Sequence, residues 1–205
     1  MTVKTNKRQR CQRCARPETH CLCALIPNLP SQTRVLLIQH PDETKHALNT
    51  ARMTALGLQN AELIVAETVD NLEHYLQQPG YRPCLLFPGE GAQLLNAYQA
   101  EQLPWLLVVP DGTWRKARRI LYCNPLLAAL PRVTLPTELS SRYRLRKAPD
   151  AQALATVEAV SYALNILEPD KNFSPLLRPF DALIEGQIQA MGAATYRRNH
   201  LTGDD

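Results

Sequence analysis

The chain has 205 residues, 45% of them hydrophobic, and a formal net charge of +4. That is enough apolar material for one core of ordinary size with at most a small appendage, and no apolar run approaches the roughly 20 residues that span a bilayer. The N-terminus is basic and polar without the apolar stretch of a secretion signal, so the chain is expected in the cytoplasm with no membrane partner.

The small net charge conceals three basic clusters. Residues 1–16 carry Lys4, Lys7, Arg8, Arg10, Arg13 and Arg16 with no acid, and further groups lie at Arg115, Lys116, Arg118 and Arg119 and at Arg142, Arg144, Arg146 and Lys147. Removing these 14 from the 23 Lys and Arg leaves nine cations against 19 acids, so the rest of the chain is acidic. A short basic run is often only a solvated helix face, but three of them in an acidic chain point to a polyanion such as nucleic acid.

Residues 11–23 read "CQRCARPETHCLC", in which Cys11, Cys14, Cys21 and Cys23 follow a C-x2-C-x6-C-x-C spacing. Four thiolates can close a tetrahedral zinc site, and a closed site of this kind is structural. Disulfides are the alternative, disfavoured where thiols stay reduced. His20 could replace one sulfur, although four already suffice. Cys84 and Cys123 stand alone and read as small core residues. "IPNLP" then marks a linker, giving an expected division into a basic zinc knuckle over 1–30 and an α/β domain over 31–205.

Beyond the linker, "RVLLIQH" (34–40), "AELIVA" (61–66), "CLLFPG" (84–89) and "WLLVVPDG" (105–112) are continuous apolar runs, with a helix-like pattern over 42–58 carried by Ala47, Leu48, Ala51 and Leu56. Unbroken apolar strands separated by helices indicate a mostly parallel sheet covered on both faces. Residues 153–167 and 179–200 are expected helices. Ligands of such sheets sit beyond the carboxyl ends of the strands. Here those ends carry His40, Pro41 and Glu43, then Phe87, Pro88 and Gly89, then Asp111, Gly112, Thr113 and Trp114. No G-x-G-x-x-G turn or P-loop is present, which excludes the usual dinucleotide and triphosphate cradles.

In order along the chain, the four cysteines, "QHPDE" with "NTA" downstream, "DGTW", "RYRLR" and "ATVEA" make the sequence resemble the DTW-domain family, named for Asp-x-Thr-Trp, from about residue 11 to about 170. The resemblance implies a SPOUT-like fold with a C-terminal knot and an S-adenosylmethionine pocket. Bacterial members of the family are tRNA-uridine aminocarboxypropyltransferases. The implied reaction moves the 3-amino-3-carboxypropyl group of S-adenosylmethionine to N3 of a tRNA uridine, variable-loop position 47 in those members, and releases 5'-methylthioadenosine. The implied pocket draws on Phe87, Pro88, Gly89, Asp111, Gly112 and Trp114. Leu139, Ser140, Tyr143, Leu145, Thr156 and Glu158 complete it.

The sulfonium already activates the leaving group, so the protein must supply position and a base for the N3 proton. Asp111, at the end of a buried strand, is the expected base: burial raises its pKa, while nearby cations would oppose that rise. Glu158 and Glu43 are the competing carboxylates, each equally readable as a helix first-turn acid. Trp114 either packs under the sheet edge or stacks on a flat base. Arg115, Lys116, Arg118 and Arg119 are expected phosphate contacts, as are Arg8, Arg10 and Arg13 around the knuckle and Arg142, Arg144 and Arg146 along an extended stretch. A SPOUT-like RNA methyltransferase and a non-catalytic zinc-containing RNA-binding protein are the other readings, and both monomer and homodimer remain open.

Overall fold

The computed structural model describes residues 9–96, 103–139, 141, 154–192 and 195. Among them, β1 (Arg34–Gln39), β2 (Ala61–Val65), β3 (Arg82–Leu86), β4 (Gln93–Leu94), β5 (Trp105–Asp111) and β6 (Arg132–Thr134) form one sheet in the order β2-β1-β5-β3-β6-β4. Every pairing is parallel. Parallel neighbours require crossover connections, and these carry α1 (Ala51–Gly57), α2 (Leu72–Leu76), α3 (Trp114–Cys123) and α4 (Pro125–Ala128). Two longer helices follow, α5 (Thr156–Leu167) and α6 (Arg178–Met191).

The apolar runs are continuous because both faces of the sheet are covered. Val35, Leu37, Leu107 and Val109 pack against α1, α5 and α6, whereas their alternates Leu36, Ile38, Leu106 and Val108 pack against α2, α3 and α4. The fold is therefore the expected α/β architecture with a mostly parallel sheet. β2 lies at the sheet edge and is only half-buried, with Val65 exposed.

The helix-like pattern over 42–58 resolves differently. A 3-10 turn (Pro41–Lys45) is followed by irregular chain, and α1 begins only at Ala51. The His40 ring caps the Asp42 N–H, and Asn49 Nδ2 and the Arg16 guanidinium take the carbonyls of Glu43 and Ala47, so these groups are already engaged outside a helix. Within the expected helix over 179–200, α6 ends at Met191, and Gly192, with φ of 81°, donates its amide to the Ile188 and Gln189 carbonyls; residue 195 is again helical, and 193–194 and 196–200 lie outside the described residues. Of the two lone cysteines, Cys84 is fully buried in the core, but Cys123 is half-exposed, its thiol 3.7 Å from Glu67 Oε1.

The cysteine-bearing segment rests on the helices behind the sheet, where Cys14 and Ile26 pack with Met53 of α1 and Leu183 of α6. α5 is secured at both ends. Its last turn leads to the buried Glu168, whose carboxylate accepts the Gln32 and Thr33 N–H groups at 2.9 Å each, the Thr33 hydroxyl at 2.8 Å and the Lys171 ammonium at 2.8 Å. Its first residue, Thr156, bonds to the end of β5. The C-terminal knot was implied by the resemblance alone, and residues 140, 142–153, 193–194 and 196–205 lie outside the described residues.

Candidate active site

At the carboxyl ends of β3, β5 and β6 the chain opens a cleft of about 290 Å³, near the lower end of the size range of small-molecule sites. Three strand exits supply one wall through Phe87 and Pro88, Pro110 and Gly112, and Thr134 and Leu135. Thr156 and Ala159 of α5 supply another. Trp114 is the first residue of α3, whose cap is Thr113, with Oγ1 accepting the Lys116 N–H at 3.4 Å. The indole meets the Phe87 ring edge-on at 5.6 Å and is 42% exposed, so it forms the rim of the cleft rather than packing in the core.

Asp111 lies just behind this wall, between the lining residues Pro110 and Gly112, and is only 7% exposed. Gln39 Nε2 donates to Oδ2 at 2.7 Å, and the Thr156 hydroxyl donates to Oδ1 through a short hydrogen bond. Burial pushes the carboxyl above its usual range; the Gln39 and Thr156 hydrogen bonds pull it back, and the negative charge of Glu43 adds to the rise. The expected opposition from cations is not what the residues provide. Lys116 instead turns to Glu43 at 2.8 Å and to Asp42 at 3.9 Å.

Both competing carboxylates have partners of their own. Glu43 holds Lys116, and Glu158 is fully buried, accepting the Ala155 N–H at 2.7 Å and the Ser141 hydroxyl at 2.8 Å. Glu158 thus serves its own helix terminus, the first-turn role that the sequence allowed. Of the expected pocket residues, Phe87, Pro88, Gly112, Trp114, Leu139 and Thr156 come together on the cleft wall, while Gly89 does not. A Cβ on Gly89, whose φ is 154°, would meet the Arg132 guanidinium at 2.8 Å.

Sequence reasoning missed Gln39, the partner of Asp111, and the wall from Thr134 to Thr137. For that wall, Pro136 in "TLPT" after a short apolar segment was the available signal. Ser140, Tyr143 and Leu145 lie outside the described residues, as do Arg8, Arg142, Arg144 and Arg146.

Arg115 and Arg118 are exposed on α3, and Arg119 binds Glu67 Oε1 at 3.0 Å through Nε. Arg10 and Arg13 donate to the carbonyls of Ala15 and Cys23, bracing the loops around the cysteines. Cys11 and Cys23 Sγ are 3.6 Å apart and Cys14 and Cys21 Sγ 3.8 Å apart, with all four sulfurs within 4.8 Å of one another. These separations exceed a disulfide bond of about 2.05 Å and match the roughly 3.8 Å edge of a tetrahedron with 2.3 Å zinc–sulfur bonds. Backbone hydrogen bonds from Cys14 and Arg13 lower the Cys11 thiol to about 6, while desolvation and its neighbouring sulfurs push the Cys23 thiol up to about 12. His20 turns to Thr19 Oγ1 at 2.9 Å and is not among the four clustered groups.

A family model described as the DTW domain matches residues 8–188. The chain belongs to the DTW-domain family. Among its relatives in that family, the tRNA-uridine aminocarboxypropyltransferase 2 of Macaca fascicularis is 32% identical over 207 residues, covering 95% of this chain and 69% of the relative. The Drosophila melanogaster protein of the same name is 30% identical, covering 89% of this chain and 76% of its own. The tRNA-uridine aminocarboxypropyltransferase A of Arabidopsis thaliana is 29% identical, covering 80% and 75%. These are animal and plant proteins, whereas the sequence resemblance pointed to bacterial members. No solved structure matches the chain. The Asp-x-Thr-Trp motif of the DTW domain here runs from Asp111 behind the cleft wall to Trp114 at its rim.

Proposed function

We propose that this DTW-domain protein is a tRNA-uridine aminocarboxypropyltransferase, moving the 3-amino-3-carboxypropyl group of S-adenosylmethionine to N3 of a tRNA uridine. The names of its relatives support the enzyme class. The observation that carries the chemistry is Thr156, which lines the cleft and whose hydroxyl donates to the buried Asp111. As substrate, the sulfonium supplies a carbon already activated for displacement. The N3–carbon bond forms as the carbon–sulfur bond breaks, and 5'-methylthioadenosine leaves with the electron pair. The N3 proton passes to Thr156 Oγ1 while Thr156 delivers its own proton to Asp111 Oδ1, so Asp111 is the final acceptor. Trp114 at the rim offers a flat surface for the adenine or for a uracil turned out of its stack.

The test uses purified protein, tRNA and S-adenosylmethionine labelled on either the carboxyl or the methyl carbon. Label reaching tRNA from the carboxyl carbon alone is the expected result. Methyl label in tRNA would make the protein a methyltransferase, and tRNA binding without either label would make it a non-catalytic RNA-binding protein.

Residues 1–30 form the basic knuckle in this reading, with zinc held by Cys11, Cys14, Cys21 and Cys23 and the surrounding cations gripping tRNA phosphates. Zinc supplies cross-linking only, because four sulfurs leave it no open position. About one zinc per chain is expected by elemental analysis of the purified protein. Cys14→Ser should lower that content sharply and release the packing of Ile26 on Met53. Four reduced cysteines without bound metal in freshly purified protein would overturn the assignment.

A further inference from the structure

On α3, residues 114, 115, 118, 119 and 122 fall within an arc of about 140° at 100° per residue, with the buried Ala117 and Ile120 on the other side of the helix and the buried Leu121 beside Trp114. This outward stripe reads Trp, Arg, Arg, Arg, Tyr. Among the residues of the stripe, Arg115 and Arg118 are exposed, and Tyr122 is 79% exposed among the described residues. The Arg119 guanidinium lies over the Tyr122 ring at 5.6 Å from its centroid and is itself anchored by Glu67, which His40 Nε2 holds at 2.9 Å. The ring is thus steadied from one side and open to solvent over most of its surface. Leu126, half-exposed at the start of the next helix, extends the apolar edge.

We propose that Tyr122 is a stacking platform for an unpaired base of the RNA whose neighbouring uridine enters the cleft at Trp114. The proposal rests on the reading of this protein as a tRNA-modifying enzyme. The two aromatics are eight residues apart on one helix, about 12 Å along its axis, so one strand can seat a base on Tyr122 and send a near neighbour to the rim. Between them, Arg115 and Arg118 face the path of the backbone and complement its negative charge. Cations alone would suit any polyanion, and an exposed aromatic alone could meet an apolar protein surface. Two aromatics bracketing three cations on one stripe that ends at the cleft fit single-stranded RNA, whose bases can seat at either end while its phosphates cross the cations between them.

The test measures tRNA binding and transfer separately. Tyr122→Ala is expected to raise both the Kd and the KM for tRNA by roughly 5- to 100-fold, the loss of one stacked base. The KM for S-adenosylmethionine should be unchanged and Tyr122→Phe should behave as the parent protein. Arg118→Gln should reduce the slope of log affinity against log salt by about 0.7–0.9, whereas Tyr122→Ala should leave that slope intact. Thermal melting equal to the parent's shows that each variant folds. Unchanged tRNA Kd and KM in Tyr122→Ala overturn the platform, as does failure of Tyr122→Phe to bind like the parent. If carboxyl-carbon transfer fails in the parent while Tyr122→Ala still weakens tRNA binding, the enzymatic reading falls and the platform stands. A parent protein that binds no tRNA overturns both.

Discussion

Asp111→Asn is expected to lower the rate of aminocarboxypropyl transfer by about 10²–10⁴-fold, the usual contribution of a positioned proton acceptor, while melting no lower than the parent. The two halves of this expectation have one cause. Asp111 is buried beside Gln39 and Thr156, and desolvation raises its pKa above that of the unfolded chain. A raised carboxyl binds its proton more tightly when folded, so ionised Asp111 weakens the fold. Stability is gained as pH falls through the folded pKa and is complete below the unfolded one. Asparagine preserves the volume and removes the buried charge, and a turn of the Gln39 amide lets it pair with Asn Nδ2. Transfer, by contrast, requires the ionised form. The kcat/KM of the parent should fall on the acidic side with an apparent pKa above the ordinary carboxylate range, and Thr156→Val should reproduce the loss where Thr156→Ser does not. Single-turnover transfer and thermal melting decide it. Transfer near the parent rate in Asp111→Asn places the base elsewhere, and a lost rate with a sharply lowered Tm makes the residue structural.

Glu168→Ala is expected to cost about 3–5 kcal/mol, because it strips a buried carboxylate from several donors at once. For a chain of this length that is roughly a 10 °C fall in Tm. Burial alone pushes Glu168 up, but the Gln32 amide, Lys171 and Thr33 outweigh it and hold the carboxyl below its usual range. The sign is therefore opposite to that of Asp111. The stability it contributes is full above the unfolded pKa and disappears as pH falls through the folded one. Melting curves of the parent and Glu168→Gln should converge in acid, and a gap that persists unchanged at low pH would show that packing, not charge, holds this joint.

Much of this architecture was legible because the sheet is covered on both sides. β1, β3 and β5 show as unbroken apolar runs, and the turn at Asp111 and Gly112 marks a strand exit without any knowledge of its neighbours. The cysteines needed only their spacing. β4 and β6 have two and three residues, too few for any periodicity to emerge. Gln39 reads as the polar end of β1, and only the parallel register that pairs it with Asp111 reveals its role. Glu158 and Thr156 belong to the same motif, yet which of them faces the cleft depends on the phase of α5. Glu158 bonds back to Ala155 as a cap, and that leaves Thr156 to meet Asp111.

The two attachments of α5 also fix its count of residues. Twelve helical residues rise about 18 Å and the six of β1 about 20 Å, so one helix spans one strand from Thr33 to the level of Asp111. Adding or deleting a single residue inside α5 would swing Thr156 about 100° around the axis if Glu168 stayed seated. The helix is a ruler as well as a wall: no residue along it is exposed, and its two attachments hold its length.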